Sequence, residues 1–213
     1  MRNEAYESIA PVEIRGRPIP RHGVARYEGG RAFAVATGIG RPRAWSIARK
    51  HVLAGLGEGL ASASSLSPRD RLRAAVATAR DTLIDACNQL VEREVPDAGL
   101  VALLLGGGAA HIAVVGGGRV YLQRRGKPQR LTPRDQPAEG LIEGEIALSE
   151  IMLDPNDLLL VGSASAFSEA AIHRIGAVLQ SDASAPPAVL ASLLTEPARK
   201  AGVGAAALAI RIA

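Results

Sequence analysis

The stretch from Gly99 to Leu131, GLVALLLGGGAAHIAVVGGGRVYLQRRGKPQRL, most constrains the fold of this 213-residue chain. Val101 to Leu105 is a short apolar run closed by Gly106-Gly107-Gly108. Ala109 to Val115 is a second, closed by Gly116-Gly117-Gly118, and Arg119 to Arg124 alternates apolar and polar residues. Glycine-bounded apolar runs of this length read as buried strands, and alternation reads as a strand with one covered face. The pattern predicts three consecutive strands of one antiparallel sheet joined by tight turns. Gly126-Lys127-Pro128 breaks the third strand, and Gln129 to Leu131 returns as a short fourth.

On the amino-terminal side, Met1 to Pro20 is polar, carries three prolines and reads as an irregular lead-in with at most one strand near Val12 to Ile14. Arg31 to Ala36 reads as a buried strand. Trp45, Ala48, Val52, Leu56 and Leu60 recur at helical spacing and predict a helix over 44–60, followed by a small-residue linker over Gly57 to Ser67. Ser67-Pro68-Arg69-Asp70 is a helix start, with serine at N-cap, proline at N1 and an acid at N3. That helix carries Leu72, Ala75, Val76, Ala79, Leu83, Ile84, Cys87 and Leu90 on one stripe.

Beyond the central strands, Gln136 to Glu143 reads as a short polar connection and Glu145 to Leu148 as a strand. Met152 to Asp157 forms a turn before a buried strand over Leu158 to Val161. Ser168-Glu169 caps a helix reaching Gln180, Pro186-Pro187 opens another reaching Lys200, and Ala205 to Ile212 is the final strand. Helices on either side of antiparallel hairpins, without regular β-α alternation, predict an α+β class. The 47% of hydrophobic residues supports a core without disulfides or metal, and one domain over 1–213.

The net charge is +4 with arginines dense in the first fifty residues, but aromatics make up only 3%, too few for a stacking platform on single-stranded nucleic acid. A lone Cys87 on a helix stripe reads as a core residue of a protein in a reducing compartment. The absence of an apolar run of bilayer length excludes a helical membrane span, and the expectation is a cytoplasmic protein.

VVGGGRVYLQRRGKPQRLTPRDQ resembles the core meander of the metal-dependent Ser/Thr protein phosphatases of PPM type (protein phosphatase 2C), whose pattern runs roughly VGDSRAYLxRxGxxxxLTxDH. Gly116, Arg119, Tyr121, Leu122, Leu131 and Thr132 carry the match. AVATGIGRPRAWSIARKHV from Ala34 is similar to the family's AVADGMGG segment, LDPNDLLLVGSA from Leu153 to its LxxGDxLLLCSDG, and VGAAALAIRI from Val203 to its DNVTVVVVRV. The resemblance implies a four-layer α-β-β-α sandwich of two antiparallel sheets, each covered by a helical pair.

In that family the aspartates of these motifs hold two Mg²⁺ or Mn²⁺ ions, which activate the attacking water. Here the corresponding positions are Thr37, Gly117, Ser163, Val203 and Gly204. Hard dications need several carboxylate or water oxygens, so the resemblance implies a bacterial-type pseudophosphatase with no metal cofactor. Its expected partner is a protein: a kinase, a phosphoprotein or an assembly component. Arg15, Arg17 and Arg21 fall where the family places a phosphate-gripping arginine. With Arg41 and Arg43 they are candidates for holding a phosphate or a partner without hydrolysis. The alternative is a residual phosphatase with unconventional ligands among Asp135, Asp154 and Asp157.

Other chemistry fits the residues less well. Neither glycine triplet leads into a helix through Gly-Lys-Ser/Thr, so neither reads as a phosphate cradle. Ser163 and Ser165 lack the spacing of a nucleophile elbow. His22, His51, His111 and His173 lack zinc-ligand spacing.

Overall fold

Backbone pairing sorts the strands into two antiparallel sheets in the computed structural model, which describes residues 3–89, 95–134 and 139–213. The elements in chain order are β1 (Glu4–Ile14), β2 (Arg17–Ile19), β3 (His22–Tyr27), β4 (Ala32–Ile39), α1 (Pro42–Ser62), α2 (Pro68–Asn88), β5 (Asp97–Gly106), β6 (Ala109–Val115), β7 (Arg119–Arg124), β8 (Lys127–Arg130), β9 (Ala147–Met152), β10 (Leu158–Gly162), α3 (Glu169–Ser181), α4 (Pro187–Lys200) and β11 (Val203–Arg211). A 3₁₀ turn, Ala164–Phe167, follows β10. The six-stranded sheet runs β2-β1-β11-β10-β7-β8 and the five-stranded sheet β3-β4-β5-β6-β9.

Three apolar layers hold the stack together. Phe33, Val35, Leu103, Ile112, Leu159 and Leu208 interdigitate between the two sheets. Ala34, Ala102 and Ala113, on the opposite face of the five-stranded sheet, meet Leu56, Leu60, Leu72 and Leu83 of α1 and α2. Leu160, Ala207 and Ala209 meet Ile175, Leu190 and Leu194 of α3 and α4. Covering both faces of each sheet explains why β5 and β6 are continuous apolar runs rather than alternating ones. The result is the α-β-β-α sandwich.

Helix α2 begins as its sequence predicts: the Ser67 hydroxyl accepts from the Asp70 backbone N–H and donates to the Asp70 carboxylate. Helix α1 packs against it at close range because Gly59 has no side chain; a Cβ there would lie 2.5 Å from Ala75 Cα. Leu90 lies outside the described residues. Among the described residues, no helix is long and apolar enough to cross a membrane.

Two expectations are corrected. The central run is not one sheet: β5 and β6 pair in the five-stranded sheet, whereas β7 and β8 pair in the other. A glycine triplet reads locally as a hairpin turn, but this one is a crossover. Gly116 adopts φ +77°, and Gly118 passes so close to β5 that a Cβ would lie 1.9 Å from Val101 Cγ2.

The amino terminus is not irregular either. β1 pairs with β11 from Glu4↔Arg211 to Val12↔Val203, and with β2. Its polar residues have partners far along the chain: the Ser8 hydroxyl meets that of Thr195 at 2.6 Å, and Glu7 meets Arg26. A strand satisfied by partners so distant carries little local periodicity. The strand expected at 145–148 is β9, displaced to 147–152.

Candidate cleft between the two sheets

The end of β4, the β6–β7 crossover and the end of β10 meet at one end of the sandwich and bound a cleft of about 190 Å³. Thr37, Gly117 and Ser163 line it together, with Arg21 at its mouth and Val35, Leu100 and Val101 as an apolar wall. The joint between β4 and α1 fixes Arg21. Its Nε donates to the Gly38 carbonyl at 2.9 Å, and its guanidinium stands 5.2 Å from the Trp45 ring centroid, within cation–π range. Trp45 in turn donates Nε1–H to the Gly40 carbonyl at 2.9 Å. Gly38 is required there, since a Cβ would lie 2.7 Å from the Trp45 side chain.

Ser163 is buried and occupied. Its Oγ accepts from the Ala206 backbone N–H at 3.2 Å and lies 3.0 Å from Ser165 Oγ. That geometry ties the end of β10 to β11 and supplies no base to activate a nucleophile.

His22, paired with Thr37 in the β3–β4 ladder, is buried, and its Nδ1 lies 3.1 Å from the Thr37 hydroxyl. Burial, reinforced by the neighbouring Arg21 charge and partly offset by the Gly204 backbone, pushes its pKa down to about 4. The imidazole is therefore neutral at physiological pH. Nothing in the spacing of the four histidines singles out His22; its place follows from the β3–β4 register alone.

The other sequence candidates lie apart from the cleft lining. Val203 is half exposed at the start of β11, and Gly204, at φ +69°, packs against Val12. Arg15 sits in the β1–β2 turn at φ +49° and Arg17 on the exposed edge strand β2. Arg41 is the residue before α1 and Arg43 is exposed in its first turn. Asp154 and Asp157 are at the opposite end of the sandwich, both paired with Arg124, so they cannot serve this cleft. Asp135 lies outside the described residues.

No protein-family model matches the chain, and no curated protein matches it by sequence. Solved structures do match. The Mycobacterium tuberculosis serine/threonine phosphatase PstP/Ppp superposes with a TM-score of 0.82 at 20% identity, covering 100% of this chain and 99% of that one. The fold is that of the PPM-type Ser/Thr phosphatases. The PPM phosphatase MsPP from Mycobacterium smegmatis matches at TM-score 0.77 and 23% identity over 99% of this chain and 98% of its own. PppA of Pseudomonas aeruginosa, a key regulatory component of T6SS, matches at 0.72 and 18% over 99% and 98%.

The PPM fold implies a pair of divalent ions at this end of the sandwich, and the cleft does not fit them. Among the described residues lining it, the one charge is the Arg21 guanidinium, and the side-chain oxygens are the hydroxyls of Thr37 and Ser163. Among the described residues, no three His, Cys, Asp or Glu side chains form a group able to hold a metal ion. A fixed cation beside neutral hydroxyls repels a dication rather than offsetting its charge.

Proposed function

We propose that the chain is a catalytically inactive PPM-fold protein serving as a regulatory, protein-interaction module. The observation that carries this reading is the cleft lining, in which Thr37, Gly117 and Ser163 share one space with the Arg21 guanidinium and no acid is present among the described residues. A cleft lined without acids removes a cost that metal-free carboxylates would impose. Two carboxylates about 5 Å apart repel by roughly 3 kcal/mol at an effective dielectric near 20.

The cleft suits a phosphoryl group held without hydrolysis. Arg21 is anchored through Nε, and guanidinium–phosphate hydrogen bonds are charge-assisted. The partner in this reading is a kinase, a phosphoprotein or an assembly component. That PppA, with the same fold, is a regulatory component of T6SS is consistent with a regulatory use.

The test is p-nitrophenyl phosphate hydrolysis with and without millimolar Mn²⁺. The expected result is no Mn²⁺-dependent turnover; robust Mn²⁺-dependent turnover overturns the reading. A phosphoserine peptide is expected to bind the parent protein and to bind the Arg21→Ala variant more weakly.

A further inference from the structure

A larger cavity, about 410 Å³, lies at the other end of the sandwich, in the size range of small-molecule sites. The two sites share strands: Gly162↔Arg119 lies at the cleft end of β10 and β7, and Leu158↔Gln123 at the cavity end. That separation is four residues, or roughly 13 Å of strand. Three guanidiniums line the cavity, those of Arg124, Arg125 and Arg211, against the carboxylates of Asp154 and Asp157.

The three arginines are not equivalent. Arg124 is committed: its Nε and Nη2 donate to the Asp157 carboxylate, with Nη2 at 2.6 Å, and Nη2 also donates to the Met152 carbonyl. Asp157 is 3% exposed and additionally accepts from the Asp154 backbone N–H, and the Asp154 carboxylate lies 3.3 Å from Arg124 Nε, so Arg124 is fully offset by acids and offers an anion nothing. Arg211 has no carboxylate within ion-pair distance among the described residues. Its Nη2 donates to the Ala185 carbonyl at 2.9 Å, its Nη1 to the Asn156 carbonyl at 3.5 Å, its Nε is buried without a hydrogen-bond partner, and its charge acts on Asp182. The nearby Asp182 spends its Oδ1 on the Ser184 N–H and hydroxyl. Arg125 is exposed in the β7–β8 turn at φ +51°. Pro155, Leu158 and Leu179 supply apolar surface between these groups.

We propose that this cavity is a second ligand site, distinct from the cleft, for a small organic anion whose phosphate or carboxylate head meets Arg211 and Arg125 and whose apolar body rests on Leu179 and Pro155. No carboxylate among the described residues lies within ion-pair distance of Arg211 or Arg125, so an anionic head beside them would form charge-assisted hydrogen bonds with guanidiniums not already paired to an acid. The site stands or falls independently of any activity at the cleft.

The experiment is a ¹H–¹⁵N titration of the whole protein with phenyl phosphate, with benzoate and inorganic phosphate as separate arms. The expected result is saturable shifts at the amides of Arg125, Gly126, Asn156 and Asp157 with phenyl phosphate or benzoate, and weaker binding of inorganic phosphate. Arg125→Asn, which suits a positive φ, and Arg211→Gln are each expected to weaken binding about tenfold or more, while Arg21→Ala leaves it unchanged. If phenyl phosphate binds and benzoate does not, the head is a phosphate; the reverse marks a carboxylate. Shifts confined to Thr37, Gly117 and the other cleft amides, no saturation with any probe, or undiminished affinity in Arg125→Asn, whose exposed position spares the fold, would each overturn the proposal.

Discussion

His22 Nδ1 lies 3.1 Å from the Thr37 hydroxyl across the β3–β4 ladder, in a buried position beside the Arg21 guanidinium. Two neighbouring strands thus set an uncharged imidazole against the hydroxyl of Thr37, one of the residues lining the cleft. This arrangement has an acid-side consequence for stability.

The unfolded chain takes up a proton at His22 near the ordinary value of 6.5, whereas the folded chain resists until about 4. The stability tied to a neutral His22 is therefore fully present above about pH 6.5, declines as the pH falls through that window, and is spent below about 4. The span corresponds to about 3 kcal/mol. Urea denaturation at pH 7 and pH 4.5 is expected to show a smaller loss in His22→Gln than in the parent. Identical losses would mean that some other group sets the acid limb.

Introducing acids into the cleft is expected to create a metal dependence that the parent lacks. A Cβ at Gly117 meets only Ala164, at 3.6 Å, so an aspartate fits there, and Ser163→Asp keeps an acceptor for the Ala206 N–H. In chelator, Gly117→Asp/Ser163→Asp is expected to melt below the parent because the two carboxylates repel by roughly 3 kcal/mol. Millimolar Mn²⁺ should raise the melting temperature of the variant and leave the parent unmoved. A clear rise in the parent contradicts the reading of a cleft unable to hold the ion.

The crossover predicts a coupled pair. Gly118→Ala drives a methyl into Val101 Cγ2 and is expected to cost about 1–3 kcal/mol as overpacking. In Gly118→Ala/Val101→Ala the clashing atom is gone, so the double variant should be less destabilised than the sum of the singles by about 1 kcal/mol or more. Additive costs would show that the crossover tolerates the methyl without displacing Val101.

The segment from Gly140 to Gly144 is pinned rather than draped. Leu141 is fully buried in the layer under α2, its N–H donates to the Ala98 carbonyl, and Arg80 donates to the carbonyls of Leu141 and Gly144. Leu141→Ala is expected to cost about 3 kcal/mol, or roughly 6–12 °C of melting temperature in a chain of this size. A shift below 2 °C would mark the segment as surface rather than core.

Elements whose stabilising partners are near in sequence were legible. The helices α1, α2, α3 and α4 carry their own apolar stripes, and three have local starts: Ser67-Pro68, Ser168-Glu169 and Pro186-Pro187. Strands with apolar faces, β4, β5, β6, β10 and β11, were legible for the same reason. β1 was not, because its ladder to β11 lies almost the whole chain away. Neither was the sheet change at Gly116 to Gly118, since a glycine triplet looks the same in a hairpin and in a crossover. At the cleft, the resemblance pointed to Thr37, Gly117 and Ser163, which do line one space. It could not separate Arg21 from Arg15 and Arg17, because only the register of β3 against β4 brings one of the three arginines to the mouth.

The pairing of β1 with β11 also bears on how the protein is made. A ribosome releases β1 long before its neighbour in the sheet, Val203–Arg211. The five-stranded sheet can close on α1 and α2 once β9 has emerged, but β1 must wait, its ladder open on the β11 side, until β11 has emerged. Until then that unsatisfied edge is open to mispairing.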